Sequence, residues 1–483
     1  MTKPLRSVAL LLAVLGPILL VAQSGSGYEI SVQLDGFEQD ELYLGYYYGN
    51  KQFLRDTVRR SKDDDGRFVF RGQEELPGGV YLVVMPPDNQ YFQFLLDEGE
   101  QHFSLQANTD DVTGSIQFEG SPNNQVLYDY LRFLGEQRSV ADDLRAELEA
   151  GAADARAEKL EDRLNAINET VQTYQESIVA EREGSLVAAV IKANMPVFTP
   201  DFDGAEGEDL QIKKWRYSQN HYFDHIDLAD PRMLRTPFLF ERVDNYVHKM
   251  VVQHPDTIAR AIEHVLEQMK PAEETLQFYL VHYLNEAAGS KIVGMDAVYV
   301  HLVNKYYKTG VAHWTDEEQL EKILENARGL EPLLIGKVAP DIQVQRRDGS
   351  KVRLHEVESP YTVLYFWRYD CGVCKKSTPH MKTFYEEFKD KGVTLFAVCA
   401  KLTDEVPECW EYIDEQGIRD WLHAVDPYNR SSFMSKYYLK STPQVYILDE
   451  NKKILSKRIG AEQLGEVMEQ LMEIEARKKA GEG

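Results

Sequence analysis

Cysteine is scarce and confined: the chain has four in 483 residues, all between positions 371 and 409. No disulfide can therefore staple the first 370 residues, which excludes a small secreted disulfide scaffold. Basic residues are also outnumbered, with 54 Lys and Arg against 79 Asp and Glu and a formal net charge of −25. Such a chain gains little counterion release from nucleic acid or an anionic bilayer, so neither is an expected partner. No segment beyond residue 21 stays apolar for eighteen residues, so a soluble mature chain is expected.

The start is different in kind. Lys3 and Arg6 precede an apolar run over 8–21, interrupted by Gly16-Pro17, and small or polar residues follow to Gly27. This reads as a secretory signal peptide over 1–23, cleaved near Ala22 or Gln23, with an uncleaved anchor as the alternative. No cysteine follows the run closely, so no lipid anchor is expected there. The expected location is the periplasm or cell envelope.

With 43% hydrophobic residues, the chain can fill two or three cores. Residues 28–120 carry 18 acids against 7 bases, whereas 336–475 carry 23 against 20, so the acidity lies mostly in the front of the protein. It reads as a solvated surface. Over 28–120, apolar and aromatic residues alternate between turn signals such as Asp35-Gly36 and Pro77-Gly78-Gly79, which predicts about eight short strands and an antiparallel β-sandwich domain, with a barrel as the alternative. Tyr46, Tyr47 and Tyr48 are read as core or cross-strand aromatics, with a binding platform as the alternative.

From residue 121 the period becomes helical. Residues 126–148 and 155–182 are long, charged and free of proline, which suggests a long helical hairpin. Further helices are expected over 185–193, 238–253, 256–268, 273–286, 295–307 and 316–328, giving an all-α domain over 121–335. An irregular stretch, 196–237, joins its two halves. It contains His221, Asp224, His225 and Asp227, but no third ligand at a recognisable spacing, so histidines bonded to loop backbone are expected and no metal.

A final domain, 336–478, alternates strands and helices and so predicts a mixed α/β sheet covered on both faces. Its apolar strand 361–367 leads into Cys371-Gly372-Val373-Cys374, which opens a helix. Two thiols in the first helical turn can close a small disulfide ring, and the one nearer the helix start meets unpaired N–H groups and the positive dipole end. That chemistry makes Cys371 the expected nucleophile and Cys374 the resolving thiol. Asp370 opposes thiolate formation, while Arg368, Lys375 and Lys376 favour it. Cys399 and Cys409 leave four readings open: a second disulfide, an oxidation sensor, buried small hydrophobes, or a zinc site with the first pair.

The run Phe366-Trp367-Arg368-Tyr369-Asp370-Cys371-Gly372-Val373-Cys374-Lys375, with Pro379 and the distant Ser441-Thr442-Pro443, resembles the thioredoxin fold. Gly336, Ala339, Pro340 and Asp341 and the insertion before Thr442 are similar to the envelope thiol–disulfide oxidoreductases related to TlpA and ResA. The stretch from Trp215 to Pro237, with Gly294 to His301 and Tyr306 to Gly310, resembles a helical envelope domain of unknown function. The β-rich start resembles another uncharacterised domain.

The resemblance implies a cis-proline at Pro443, a substrate-binding backbone at Thr442, Trp367 beside the site and a bend at Pro379. It implies protein thiol or disulfide partners, re-reduction by a membrane electron donor, and no cofactor beyond the Cys371–Cys374 dithiol; oligomeric state is left open. Two places depart from the family: Tyr365 stands where many thioredoxins have a buried aspartate, and Ser377 where ResA-like reductases have a glutamate. The expected activity is thiol–disulfide exchange, as reductase or isomerase. One alternative is an envelope assembly protein with a dispensable redox domain. The other is a peroxiredoxin-like peroxidase, which needs proline and threonine or serine where Leu364 and Arg368 stand.

Overall fold

A computed structural model describes residues 27–97, 99–151 and 153–480. The segment read as a signal peptide lies outside them. The chain forms two compact units, 1–195 and 196–483.

The first unit contains β1 (Tyr28–Asp35), β2 (Glu41–Tyr48), β3 (Lys51–Arg59), β4 (Phe68–Gly72), β5 (Gly79–Met85), β6 (Gln90–Leu96), β7 (His102–Asn108), a short α1 (Val112–Ser115) and β8 (Gln117–Glu119). They make two four-stranded sheets, ordered β4-β1-β7-β8 and β3-β2-β5-β6. Alternation puts Ile30, Val32 and Leu34 of β1 and Leu42 and Leu44 of β2 into one shared core. The expectation of a purely antiparallel arrangement is corrected: β1 and β7 pair in parallel. Five strands intervene between them, so no tight turn dictates their relative direction. β3 was not legible, because its residues are exposed or only partly buried and it has no inward-facing stripe.

Two 28-residue helices follow, α2 (Pro122–Glu149) and α3 (Asp154–Glu181), then α4 (Leu186–Ala193). α2 and α3 run against each other, with Phe133 on Tyr174 at 4.6 Å, Gln175 donating to Tyr130 at 2.8 Å, and Arg156 paired with Glu147. They share the core of the sheets through Leu127, Tyr128, Tyr130 and Ile178. β6 is an edge strand, whose free backbone groups would be a liability if left bare. Asn124, fully buried, covers them: its Oδ1 accepts from Leu95 N–H and its Nδ2 donates to Leu95 C=O, both at 2.7 Å. Tyr128 adds a bond to Gln93 C=O at 2.8 Å.

The second unit begins with α5 (Gly207–Asn220), α6 (Leu239–Lys249), α7 (Pro255–Met269), α8 (Glu273–Gly289), α9 (Asp296–Leu302), a π-helical turn over Val303–Tyr307, and α10 (Glu317–Leu330). Helical spacing buries Leu239, Val243 and Val247 on α6 and Ile258, Ile262, Val265 and Met269 on α7. α5 corrects the irregular reading of 196–237. It buries no residue, so it shows no apolar stripe. His221, at its end, stacks on Tyr217 at 4.1 Å and bonds Asp224 at 2.6 Å.

The carboxy-terminal domain holds β9 (Gln343–Gln345), β10 (Lys351–Arg353), β11 (Tyr361–Trp367), α11 (Gly372–Phe388), β12 (Val393–Cys399), α12 (Val406–Gln416), β13 (Leu422–Val425), α13 (Phe433–Lys436), β14 (Gln444–Leu448), β15 (Ile454–Lys457) and α14 (Leu464–Ala480). Its seven strands are ordered β10-β9-β13-β12-β11-β14-β15. β11 is central, paired in parallel with β12 and antiparallel with β14. Its odd residues, Tyr361 to Trp367, face α11, α12 and α14 in one core, while Leu364 and Phe366 face α13 in another. Burial on both faces explains why β11 reads as a continuous apolar run. β13 is not legible in the sequence, since four residues containing His423 give too short a pattern, and α13 is a single turn.

Asn124→Ala leaves the buried N–H and C=O of Leu95 unpaired, at a cost of about 2–4 kcal/mol. Hydrogen-exchange mass spectrometry is expected to show β6 losing protection first, with the carboxy-terminal domain unaffected.

Candidate active site

β11 ends at Trp367, and residues 368–370 turn the chain from the carboxyl edge of the sheet into α11. That is the edge where open α/β sheets present their sites. Cys371 is the residue that caps α11, its Sγ accepting the N–H of Cys374 at 3.1 Å. Its S–H also reaches the carbonyl of Thr442 at 3.3 Å. Both thiols are free; Cys371 is half-buried, whereas Cys374 is only 1% exposed.

The two thiols are driven in opposite directions. Partial burial pushes Cys371 up, but bonds with the side chain and N–H of Cys374, with the side chain of Thr442 and with the N–H of Val373 outweigh it and hold the thiol below its ordinary value. Burial, followed by the bond to Cys371, pushes Cys374 up to about 12. The pair thus contains one sulfur suited to carrying negative charge and one suited to keeping its proton.

Asp370 does not oppose this. Arg368 grips both of its oxygens at 3.0 and 2.7 Å and Lys401 reaches it at 2.9 Å, which holds the carboxyl well below the usual carboxylate range. Lys401, 7% exposed, was missed in the sequence. Its signal was the parallel register of β11 and β12, which aligns Trp367 with Cys399 and so brings the residues after each strand together.

Thr442-Pro443 is a cis peptide at the entry to β14. Cys371, Cys374, Thr442 and Pro443 therefore meet at one edge. Trp367 sits beneath them, 2% exposed, its ring 5.4 Å from Tyr412, whose hydroxyl meets Thr378 Oγ1 at 3.0 Å. Its contacts are those of core. Pro379 lies inside α11. Tyr365 is buried at 1% exposure, and its hydroxyl has no hydrogen-bond partner among the described residues. Burial first, then the charges of Cys374, Tyr412 and Cys371, raise it far above an ordinary phenol, so no ionisable carboxylate occupies this position.

Cys399 and Cys409 are joined in a disulfide, which answers the four open readings. The bond ties the end of β12 to α12, the helix that carries Tyr412 against Trp367. None of the described residues forms a cluster of three His, Cys, Asp or Glu able to hold a metal ion, and no described helix is long and apolar enough to cross a membrane.

Residues 335–457 match the AhpC/TSA family, 28–127 match the domain of unknown function DUF4369, and 210–329 match DUF5106. The chain is 29% identical over 139 residues to the thiol-disulfide oxidoreductase ResA of Bacillus thuringiensis, covering 29% of this chain and 77% of that one. It is 31% identical over 124 residues to ResA of Oceanobacillus iheyensis, covering 25% and 62%. A solved domain of a possible thiol-disulfide isomerase from Cytophaga hutchinsonii is 34% identical, with 29% of this chain and 95% of that chain covered and a TM-score of 0.28.

Two measurements check the site. Alkylation by iodoacetamide follows the thiolate, so its rate on Cys371 is expected to rise with pH and level off below the ordinary thiol value of about 8.5, with Cys374 reacting only in strong alkali. Removing the second disulfide with Cys399→Ala/Cys409→Ala is expected to cost about 2–4 kcal/mol and to shift Trp367 fluorescence as α12 loosens, read by urea unfolding. From the dithiol geometry and the matches together, the chain is a multidomain thiol–disulfide oxidoreductase whose thioredoxin-like carboxy-terminal domain is similar to the TlpA/ResA kind and lies behind regions matching DUF4369 and DUF5106.

Proposed function

We propose that Cys371 and Cys374 exchange disulfides with protein substrates in the cell envelope, acting as a reductase or isomerase. The observation that carries this reading is the opposed pair of thiols, one favoured as thiolate and half-exposed, the other buried and protonated. In the forward direction the Cys371 thiolate attacks one sulfur of a substrate disulfide. A Cys371–substrate bond forms, the substrate S–S bond breaks and the other substrate sulfur leaves as thiolate. Cys374 then gives up its proton and attacks Cys371 Sγ, closing the Cys371–Cys374 disulfide and releasing the second substrate thiol. Two electrons pass from the dithiol to the substrate, and a membrane-bound dithiol donor returns them. No step calls for a metal or cofactor.

Thr442 and Pro443 serve as the substrate edge. The carbonyl of Thr442 already contacts Cys371 Sγ, and backbone groups there can pair with an extended segment. Trp367 supports the floor of the site. A peroxidase is disfavoured by Leu364, fully buried in β11, and Arg368, committed to Asp370, because neither supplies the proline or hydroxyl that peroxide chemistry uses there. The export signal read in 1–23 supports the envelope location.

Cys371→Ser is expected to abolish insulin reduction by the full chain, and Cys374→Ser to accumulate mixed disulfides recoverable by non-reducing electrophoresis and mass spectrometry. Turnover of hydrogen peroxide with a thiol reductant, without insulin reduction, would instead select the peroxidase. Inactivity in both assays, with a partner retained by residues 28–335 alone, would select the assembly protein.

A further inference from the structure

Within the second unit a cavity of about 630 Å³ lies between the helical part and the carboxy-terminal domain. Small-molecule sites commonly occupy roughly 300–1,000 Å³. One wall is built by the end of α8, the loop 290–294, α9 and α10, and the other by residues 438–440 and 457–463. Its charged lining is Lys291, Lys440, Lys457 and Arg458 against a single acid, Asp296. Lys457 and Asp296 are 3% and 8% exposed and form an ion pair, with Lys457 also bonded to Leu333 C=O, so they neutralise each other. Three exposed cations are left over in a chain of net charge −25. Among the described residues none of the three is in an ion pair; Lys440 bonds the Tyr438 hydroxyl and lies 4.4 Å over its ring, with the field of Glu325 reaching it more weakly, and the nearby Glu462 leans to His380 at 3.8 Å.

The cavity adjoins the dithiol through the chain itself. Lys440 precedes Thr442 by two residues, and Thr442 touches Cys371 Sγ. The N–H of Arg458 donates to Val445 C=O at 2.9 Å, two residues beyond Pro443. The rim is apolar as well as basic: Ile292 is 71% exposed and Val293 39%. A small free anion has no use for that rim, whereas a polypeptide carrying both acidic and apolar side chains fits it.

We propose that this cavity docks an acidic stretch of a protein disulfide substrate, seating the disulfide that follows it against Cys371. The proposal rests on the dithiol exchange set out above and adds the substrate class. Lys291, Lys440 and Arg458 act as specificity residues, and the helical part becomes a working portion of the substrate site.

The test uses the reduced full-length protein and two synthetic peptides sharing one disulfide, one flanked by glutamates and leucine, the other by glutamines and leucine. Stopped-flow kcat/KM for the acidic peptide is expected to exceed that of the neutral one by about tenfold at low salt, the gap closing as salt shortens the reach of charge. In Lys291→Glu/Arg458→Glu the ratio is expected to fall to one or below, with iodoacetamide labelling of Cys371 checking that the variant is folded. Equal rates for the two peptides in the unaltered protein, or an acidic preference that survives the double substitution, overturn the proposal. Competition by free succinate at low millimolar concentration also overturns it, in favour of a small-anion site. Failure to reduce either peptide or insulin overturns the dithiol reading itself, a result distinct from equal reduction of both.

Discussion

The chemistry of the carboxy-terminal domain depends on one hydrogen bond, from the N–H of Cys374 to Cys371 Sγ. A helix start leaves its first amides unpaired, and a side-chain acceptor normally satisfies one of them. Here the acceptor is sulfur, so the atom that caps α11 is the atom placed to react. Negative charge on it is stabilised by the amide and by the dipole of a 17-residue helix. The sulfur is held there because β11 is paired on both sides and buried on both faces, which leaves residues 368–370 little freedom in where to deliver it.

The same geometry sets the two thiols apart and leaves a question of protons. Cys374 must lose its proton to resolve a mixed disulfide, yet burial raises its pKa to about 12. A carboxylate beneath it could take that proton. In this chain the place belongs to Tyr365, a buried phenol whose own affinity for a proton is raised above the ordinary value by burial. On the proposed mechanism the proton therefore passes outward, toward the departing substrate thiolate, and resolution waits for that thiolate to be in reach. A mixed disulfide that waits gives time for rearrangement within the substrate, which suits isomerisation as well as reduction.

The legible parts of the fold were those that bury a periodic face. β11, the dithiol turn and α11 announce themselves because a doubly buried strand, a pair of cysteines and a helical stripe are each local patterns. The helices α6 to α8 were read for the same reason. What escaped was set by partners distant in sequence or by exposure. β3 and α5 present no buried stripe, and β13 is too short to alternate. The parallel pairing of β1 with β7 and the neutralisation of Asp370 by Lys401 follow from register, which single-sequence periodicity does not contain, while the Cys399–Cys409 bond was one of several open readings until the packing of α12 against the end of β12 selected it. Asn124, a polar residue in a core, is the reverse case: its composition says surface and its two backbone bonds say otherwise.

The distribution of charge fits an exchange enzyme that must let go of what it holds. A substrate joined through Cys371 is already retained by a covalent bond, so noncovalent affinity beyond what brings the disulfide to the sulfur would only slow release. Electrostatic attraction meets that need, because exposed charges raise the rate of encounter more than the lifetime of the complex. Three cations outside any described ion pair, beside the Thr442-Pro443 edge, attract an acidic segment there, and the acidic surplus over the rest of the chain discourages the same segment from settling elsewhere. The buried pair of Lys457 and Asp296 then has a clear part. It fills the floor of the cavity with no net charge, so attraction is concentrated at the rim, next to the reacting sulfur.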